Sequence, residues 1–371
     1  MSLPNQVDGG GSRRFVYHPL SISEYQSLGM ADHLPSYAPL LRSRVVGCLA
    51  GLAVGNTLGL DVEGCTRAQA RAIKGEKGPL AQLRIIDGDT RWDDDLAMAM
   101  ALAQALVDLP GTCEGLDLPA LEGRYMDWYR TNGRGVGSHT GAVLRRLAAR
   151  ETQASRCVWE EKMTQGQRPL GNGCVMRIAP LGLRFAATPE RIPELAAQDA
   201  ALTHWDPICR QGAGVIALLT AALLRQEEDP LAFVHQHMGP LEPGLAEAIR
   251  PLPLAELAVR GLDGNDMGST LLAIQVAVSV LHAGHTLQDA LPWVLRQGGD
   301  ADTLGAIVGG LLGARDGLEA IPVFWRACVL REAKVLELGE CLVALSGLIH
   351  SSTGGFRLAG QHRATAPSAY V

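Results

Sequence analysis

Glycine occupies every fourth position of two apolar segments, at Gly47, Gly51, Gly55 and Gly59 and again at Gly305, Gly309, Gly313 and Gly317. On an α-helix that spacing keeps the residues along one flank. An interior glycine costs about 0.5–1 kcal/mol relative to alanine, so a stripe of them needs an offsetting gain. Close backbone approach to a neighbour supplies it most simply. The pattern predicts two helices, one near each end of the chain, that cross tightly at the middle of the molecule.

From Arg42 to about residue 350 the sequence is a succession of Leu/Ala/Val-rich segments of helical length, broken by Gly, Pro, Asn and Asp. Alternating β-branched stretches are few, which points to an all-α fold. The predicted helices span about 42–59, 95–108, 117–130, 140–149, 190–203, 209–226, 268–283, 287–296, 303–314 and 338–349. No low-complexity linker separates them, and no 30–45-residue period of a helical solenoid is present. The expectation is an N-terminal extension over 1–40, a single compact multi-helix domain over 41–350 and a tail over 351–371.

The formal net charge of −6 argues against a nucleic-acid partner, which would call for a basic face. Eight cysteines occur with no C-x-x-C pair or other zinc-like spacing, so they read as free, mostly buried thiols. The first residues are polar and glycine-rich, and apolar runs such as Val215–Leu224 are expected to be too short to span a bilayer. A cytoplasmic protein, with a monomer favoured and no membrane partner, is the expectation.

Two acidic clusters stand out, Asp93-Asp94-Asp95 and Asp300-Ala301-Asp302-Thr303, each at the start of an apolar helical run. A carboxylate at a helix N-terminus can be a plain cap, with Asp300 well placed for that after the Gly298-Gly299 turn. Two clusters of this density point instead to a shared cation. Carboxylates plus a hydroxyl, without Cys or His, suit Mg²⁺ or Mn²⁺. If they share an ion the clusters must meet, which favours one domain closed across its ends.

The chain resembles the ADP-ribosylglycohydrolases in five ordered segments. Gly55-Asn56-Thr57-Leu58-Gly59 followed by Glu63 is similar to that family's GDALG…E, and Arg91-Trp92-Asp93-Asp94-Asp95-Leu96 to its RWTDDT. Gly171-Asn172-Gly173-Cys174-Val175-Met176-Arg177-Ile178-Ala179-Pro180 resembles GNGAAMRIAP, Thr203-His204 a TH pair, and Gly298 to Thr303 the segment GGDADT. The resemblance implies a compact all-α domain with a central dimetal site of two Mg²⁺ or Mn²⁺ ions below a cleft for ADP-ribose. It also implies hydrolysis of the bond between ADP-ribose and a modified protein side chain or small acceptor. Carried over residue by residue, the metal-ligand positions are Asp94, Asp95, Asp300, Asp302 and Thr303, with Asp93 where the family has threonine. Glu63, with Asp94 and Asp302, would assist proton transfer. The Gly171, Asn172 and Gly173 loop, read as entering a helix, would hold the ligand together with Ser138, Thr140 and His204.

Four positions depart from the pattern. Asp93 replaces a threonine, Asn56 replaces the aspartate of GDALG, and Gly135 stands at the aspartate of the DIGNTT stretch found in some arginine-directed members. Leu96 in addition replaces the second threonine of TDDT. The alternative these changes raise is a family member without turnover that binds ADP-ribose or serves a structural, crystallin-like role.

Overall fold

The two glycine stripes meet. In the computed structural model, which describes residues 38–76, 93–109, 115–329 and 333–348, the helix Ala38–Gly59, α1, runs antiparallel to the later glycine helix. A methyl group added at Gly47 would lie 2.6 Å from the Gly313 carbonyl oxygen, and one at Gly51 or Gly55 would fall onto the carbonyl of Gly309 or Gly305. At the last rung Gly59 faces the backbone of Asp302. Alanine at these rungs would force the helices apart, so the sequence spacing sets the crossing.

The remaining helices are α2 (Arg67–Lys74), α3 (Asp94–Asp108), α4 (Leu118–Thr131), α5 (Ser138–Ala148), α6 (Ala154–Thr164), α7 (Ala179–Arg184) and α8 (Ile192–Ala201). They continue with α9 (Pro207–Arg225), α10 (Pro230–His237), α11 (Pro243–Ala248), α12 (Leu254–Arg260) and α13 (Thr270–His282). The last are α14 (Leu287–Leu295), α15 (Ala301–Asp316), α16 (Val323–Val329) and α17 (Ala333–Leu345). Among the described residues there is no strand, only an isolated bridge between Gly171 and Ser269.

All ten helices expected from the sequence are present, the last running Ala333–Leu345 rather than 338–349. Seven shorter ones, α2, α6, α7, α10, α11, α12 and α16, were not anticipated. The side chains at several helix starts explain where those helices begin. Thr66 and Gln69 form a reciprocal capping box at α2, Asp206 accepts the Ile208 N–H at 2.9 Å at α9, and Asp229 accepts two N–H groups at α10.

Around the crossing, α15 packs against α14, α13, α9 and α3, and α9 packs against α8, α7, α10 and α13. One hydrophobic core runs through these elements, with a small satellite at Val143, Ala154 and Val158. Helix α9 corrects one expectation, because its 19 residues are long and apolar enough to cross a membrane by length and composition. Here 83% of that window is buried in the protein interior, so its hydrophobicity is that of a central core helix. The extension over 1–40, apart from 38–40 at the start of α1, and the tail over 351–371 lie outside the described residues, as do Arg91 and Trp92.

Candidate metal centre

The crossing brings the two acidic clusters together at one end of α1. Asp93 precedes α3 and Asp300 precedes α15, both at N-cap positions, yet neither side chain caps its helix. This corrects the capping reading of Asp300 and sets the pair apart from Asp117, Asp206 and Asp229, whose carboxylates accept backbone N–H groups at their helix starts. The cluster oxygens point at one another instead. Thr303 Oγ1 donates to Asp95 Oδ2 at 3.3 Å across 208 residues of sequence, and the carboxyls of Asp93 and Asp302 lie near enough to shift one another. Carboxylate oxygens of Asp93, Asp94 and Asp95 lie within 4.8 Å of each other.

Local backbone explains the convergence. Gly298 and Gly299 both adopt left-handed φ angles, +71° and +69°, and side chains there would strike the Cys65 and Leu262 carbonyls. Gly299 N–H donates to the Cys65 carbonyl at 2.8 Å, and Gly64 N–H to the Gly299 carbonyl at 2.8 Å. These two bonds tie the turn that carries Glu63 to the second cluster. Glu63 is exposed at the rim, and its carboxyl is pushed upward by partial burial and then by Asp300 and Asp93, against the pull of Arg134.

Asn56, fully buried on α1, spans the first cluster: its Nδ2 donates to Asp93 Oδ1 at 2.8 Å and to Asp95 Oδ2 at 3.2 Å. Two of the four departures from the family pattern therefore offset each other. A carboxylate is lost at 56 and gained at 93, and the amide that replaces the first donates to the second. The third departure is steric, because a side chain at Gly135 (φ +78°) would lie 2.7 Å from Asp93 Cβ and 2.8 Å from Asp94 Oδ1.

Electrostatically the cluster is frustrated as a metal-free site. Burial, reinforced by Asp93, raises Asp94 to about 8. Burial followed by the charges of neighbouring aspartates raises Asp95 and Asp302 well above the ordinary range, and burial raises Asp93 and Asp300. Asp93 Oδ2, Asp95 Oδ1 and Asp302 Oδ1 are buried without a hydrogen-bond partner. Buried, unsatisfied hard oxygens in this density fit divalent cations, and nothing about the donor set suits a softer metal. Asp93, Asp94, Asp95, Asp300, Asp302 and Thr303 all belong to this constellation.

Beside it lies the Gly171–Gly173 loop. Asn172 Nδ2 donates to Asp300 Oδ2 at 2.6 Å, and Asn172 N–H donates to the Gly268 carbonyl at 3.0 Å. The expectation that this loop leads directly into a helix is corrected: it closes as a turn, with the Val175 N–H on the Asn172 carbonyl at 2.9 Å, and α7 starts only at Ala179. Beneath the loop are His204 and Thr140, 3.1 Å and 3.0 Å from methyl groups placed at Gly171 and Gly173 respectively. Ser138 sits at the exposed start of α5. Sequence reasoning gave no role to Arg177, buried with Asp199 behind this loop. A charged residue in an otherwise apolar stretch was the available signal.

The profile of the ADP-ribosylglycohydrolase family matches residues 38–352, and the chain belongs to that family. It is 25% identical over 326 residues to the ADP-ribosyl-[dinitrogen reductase] glycohydrolase of Rhodospirillum rubrum, covering 84% of this chain and 99% of that protein. It is likewise 25% identical over 328 residues to the ADP-ribosylhydrolase ARH3 of Homo sapiens, covering 76% and 88%. A solved ADP-ribosylglycohydrolase-related protein complex superimposes with a TM-score of 0.62 at 28% identity, over 82% of this chain and 99% of the matched one.

Proposed function

We propose that the chain is a hydrolase dependent on divalent cations that releases ADP-ribose from a modified protein side chain or a small ADP-ribosyl conjugate. The observation that carries this reading is the meeting of five aspartates from two distant segments, none of whose N-cap carboxylates caps its helix and three of whose buried oxygens have no protein donor. Asp93, Asp94, Asp95, Asp300, Asp302 and Thr303 would hold two cations, Mg²⁺ or Mn²⁺. Such a pair, when bound, neutralises the carboxylates and supplies Lewis acidity at the sugar that bears the scissile bond.

The chain's own residues supply the rest. Glu63 stands exposed at the rim beside the cluster, where its carboxyl would assist proton transfer at the scissile bond. Asn172 fixes the Asp300 carboxylate, and Asn56 fixes Asp93 and Asp95, so the cluster is oriented before a ligand arrives. The Gly171–Gly173 loop with Thr140, Ser138 and His204 forms the wall against which the ADP-ribosyl group would lie. The names of the relatives agree with this substrate class. The free thiols among the described residues, three of them buried and three partly exposed, agree with a cytoplasmic protein.

The test is release of ADP-ribose from a panel of ADP-ribosylated proteins and small conjugates, with and without Mn²⁺ or Mg²⁺. Cation-dependent release that falls to background in Asp300→Asn is the expected result. No cation-dependent release from any substrate overturns the enzymatic reading, and tight ADP-ribose binding without release would instead identify a binding protein. The charge-neutral exchange between positions 56 and 93 favours a working site over a decayed one.

A further inference from the structure

Behind the Gly171–Gly173 loop a buried relay of hydrogen bonds determines the chemical state of one imidazole. Arg177 is fully buried, and its Nε donates to Asp199 Oδ2 at 3.0 Å while Tyr125 donates to Asp199 Oδ1 at 2.6 Å. Arg177 Nη1 donates to the Gly173 carbonyl at 3.1 Å and to Thr203 Oγ1 at 2.9 Å. The same Thr203 oxygen lies 2.8 Å from His204 Nδ1.

A guanidinium only donates, so Thr203 Oγ1 accepts from Arg177; the hydroxyl has a second lone pair, but Thr203 is fully buried and His204 Nδ1 is the one acceptor within reach of its proton among the described residues, so that proton goes to Nδ1. Nδ1 is therefore the acceptor, and the proton of the neutral ring resides on Nε2. Neutrality is secured by burial first and then by cationic neighbours, Arg177 and Lys162 among them, which together hold His204 well below its ordinary value. The neighbouring ring, His139, 4.8 Å away between centroids, places Nε2 at 3.0 Å from the Thr203 carbonyl. A carbonyl only accepts, so His139 also carries its proton on Nε2.

His204 Nε2 makes no hydrogen bond among the described residues, its ring being held through Nδ1 alone. The ring is 1% exposed and lies directly beneath Gly171 and Gly173, with Asn172 between them bonded to Asp300. Any side chain at 171 or 173 would press on it, so at these two positions bare backbone alone can cover the ring.

We propose that Arg177, anchored by Asp199 and acting through Thr203, is a positioning residue that locks His204 in its Nε2–H tautomer. The ring then offers a neutral donor beneath the loop to an acceptor oxygen of the substrate, a phosphate or ribose oxygen for an ADP-ribosyl group. The tautomer follows from the relay alone, whereas the identity of the acceptor rests on the function proposed above.

The experiment is two-bond ¹H–¹⁵N correlation spectroscopy on the full chain labelled at histidine, first without ligand and then with ADP-ribose, with His204 assigned through the signals lost in His204→Gln. The expected spectrum has a pyridine-like Nδ1 and a protonated Nε2 for His204. Thr203→Val, which removes the hydroxyl at nearly constant shape, shifts it to a mixture of tautomers, and Thr203→Ser restores the original state. Arg177→Lys keeps the charge beside Asp199 but not the fork to Gly173 and Thr203, and it also gives the mixture, which covers the case in which Thr203→Val does not fold. In turnover, loss of the lock raises KM about tenfold and leaves kcat within about twofold, as expected for one lost hydrogen bond to bound ligand. A wild-type proton on Nδ1, or a His204 spectrum unchanged in both Thr203→Val and Arg177→Lys, overturns the lock. A locked ring whose Nε2 signal ignores bound ADP-ribose overturns the donor role. Failure of ADP-ribose to bind at all counts against the proposed function and leaves the tautomer result standing.

Discussion

Replacing Gly51 by alanine tests the helix crossing that assembles the site. In an unobstructed helix the change would stabilise by about 0.5–1 kcal/mol through lost backbone freedom in the unfolded chain. At this position the new methyl falls on the Gly309 carbonyl, and a backbone oxygen cannot rotate aside as a side chain would. Overpacking of that kind costs about 1–3 kcal/mol, so the net effect runs from about zero to about 2.5 kcal/mol of destabilisation. At roughly 2–4 °C per kcal/mol, the scale for domains somewhat smaller than this one, the melting midpoint falls by up to about 10 °C instead of rising. Gly123→Ala is the internal control, since Gly123 lies within α4 and an added methyl there meets nothing within 4 Å. It should raise the midpoint. Thermal and urea melts of both variants against wild type decide the matter, and a Gly51→Ala protein as stable as Gly123→Ala would refute backbone contact at the crossing.

Two further outcomes follow from the acidic cluster. Asn56→Asp removes the donor shared by Asp93 and Asp95 and adds a buried carboxylate, so the cation-free protein should lose about 1.5–3 kcal/mol; combining it with Asp93→Thr should recover most of that loss in the same melts, and equal loss in the single and double variants would contradict the pairing. The pH dependence has a fixed sign: the cluster carboxyls are raised in the folded state, so their contribution is complete below about pH 4, the unfolded value, and is lost as pH rises through the folded values, about 8 for Asp94. Added Mn²⁺ or Mg²⁺ should therefore raise the melting midpoint more at about pH 8 than at about pH 6, and a shift that is larger at the lower pH would contradict this account.

Much of the architecture is legible in the sequence because it rests on spacing. The four-residue glycine period predicts a crossing that the backbone then makes rung for rung, from Gly47 to Gly59. Short helices escaped because six to eleven residues hold too few turns for an apolar period to show. Even so, Thr66 and Gln69 carry the capping-box signature that announces α2, and Asp-Pro pairs at 206–207 and 229–230 mark the starts of α9 and α10. For the site, residue types and order disclose the carboxylates, whereas partnerships between side chains remain hidden. That Asn56 donates to two aspartates, or that Arg177 reaches Thr203 and so sets the proton on His204, depends on how distant segments pack. Neither a window of sequence nor a motif contains that information.

The central claim is that Asp93–Asp95 and Asp300–Thr303 form one cation site rather than two independent acidic caps. Calorimetric titration of the metal-free chain with Mn²⁺, run in parallel on Asp95→Asn and Asp302→Asn, tests it most directly. The account predicts binding of two ions to the wild type and loss of that binding in either variant, because each removes a ligand from a shared centre. Binding that persists in one variant and vanishes in the other, or a wild type that takes up no Mn²⁺, would contradict it.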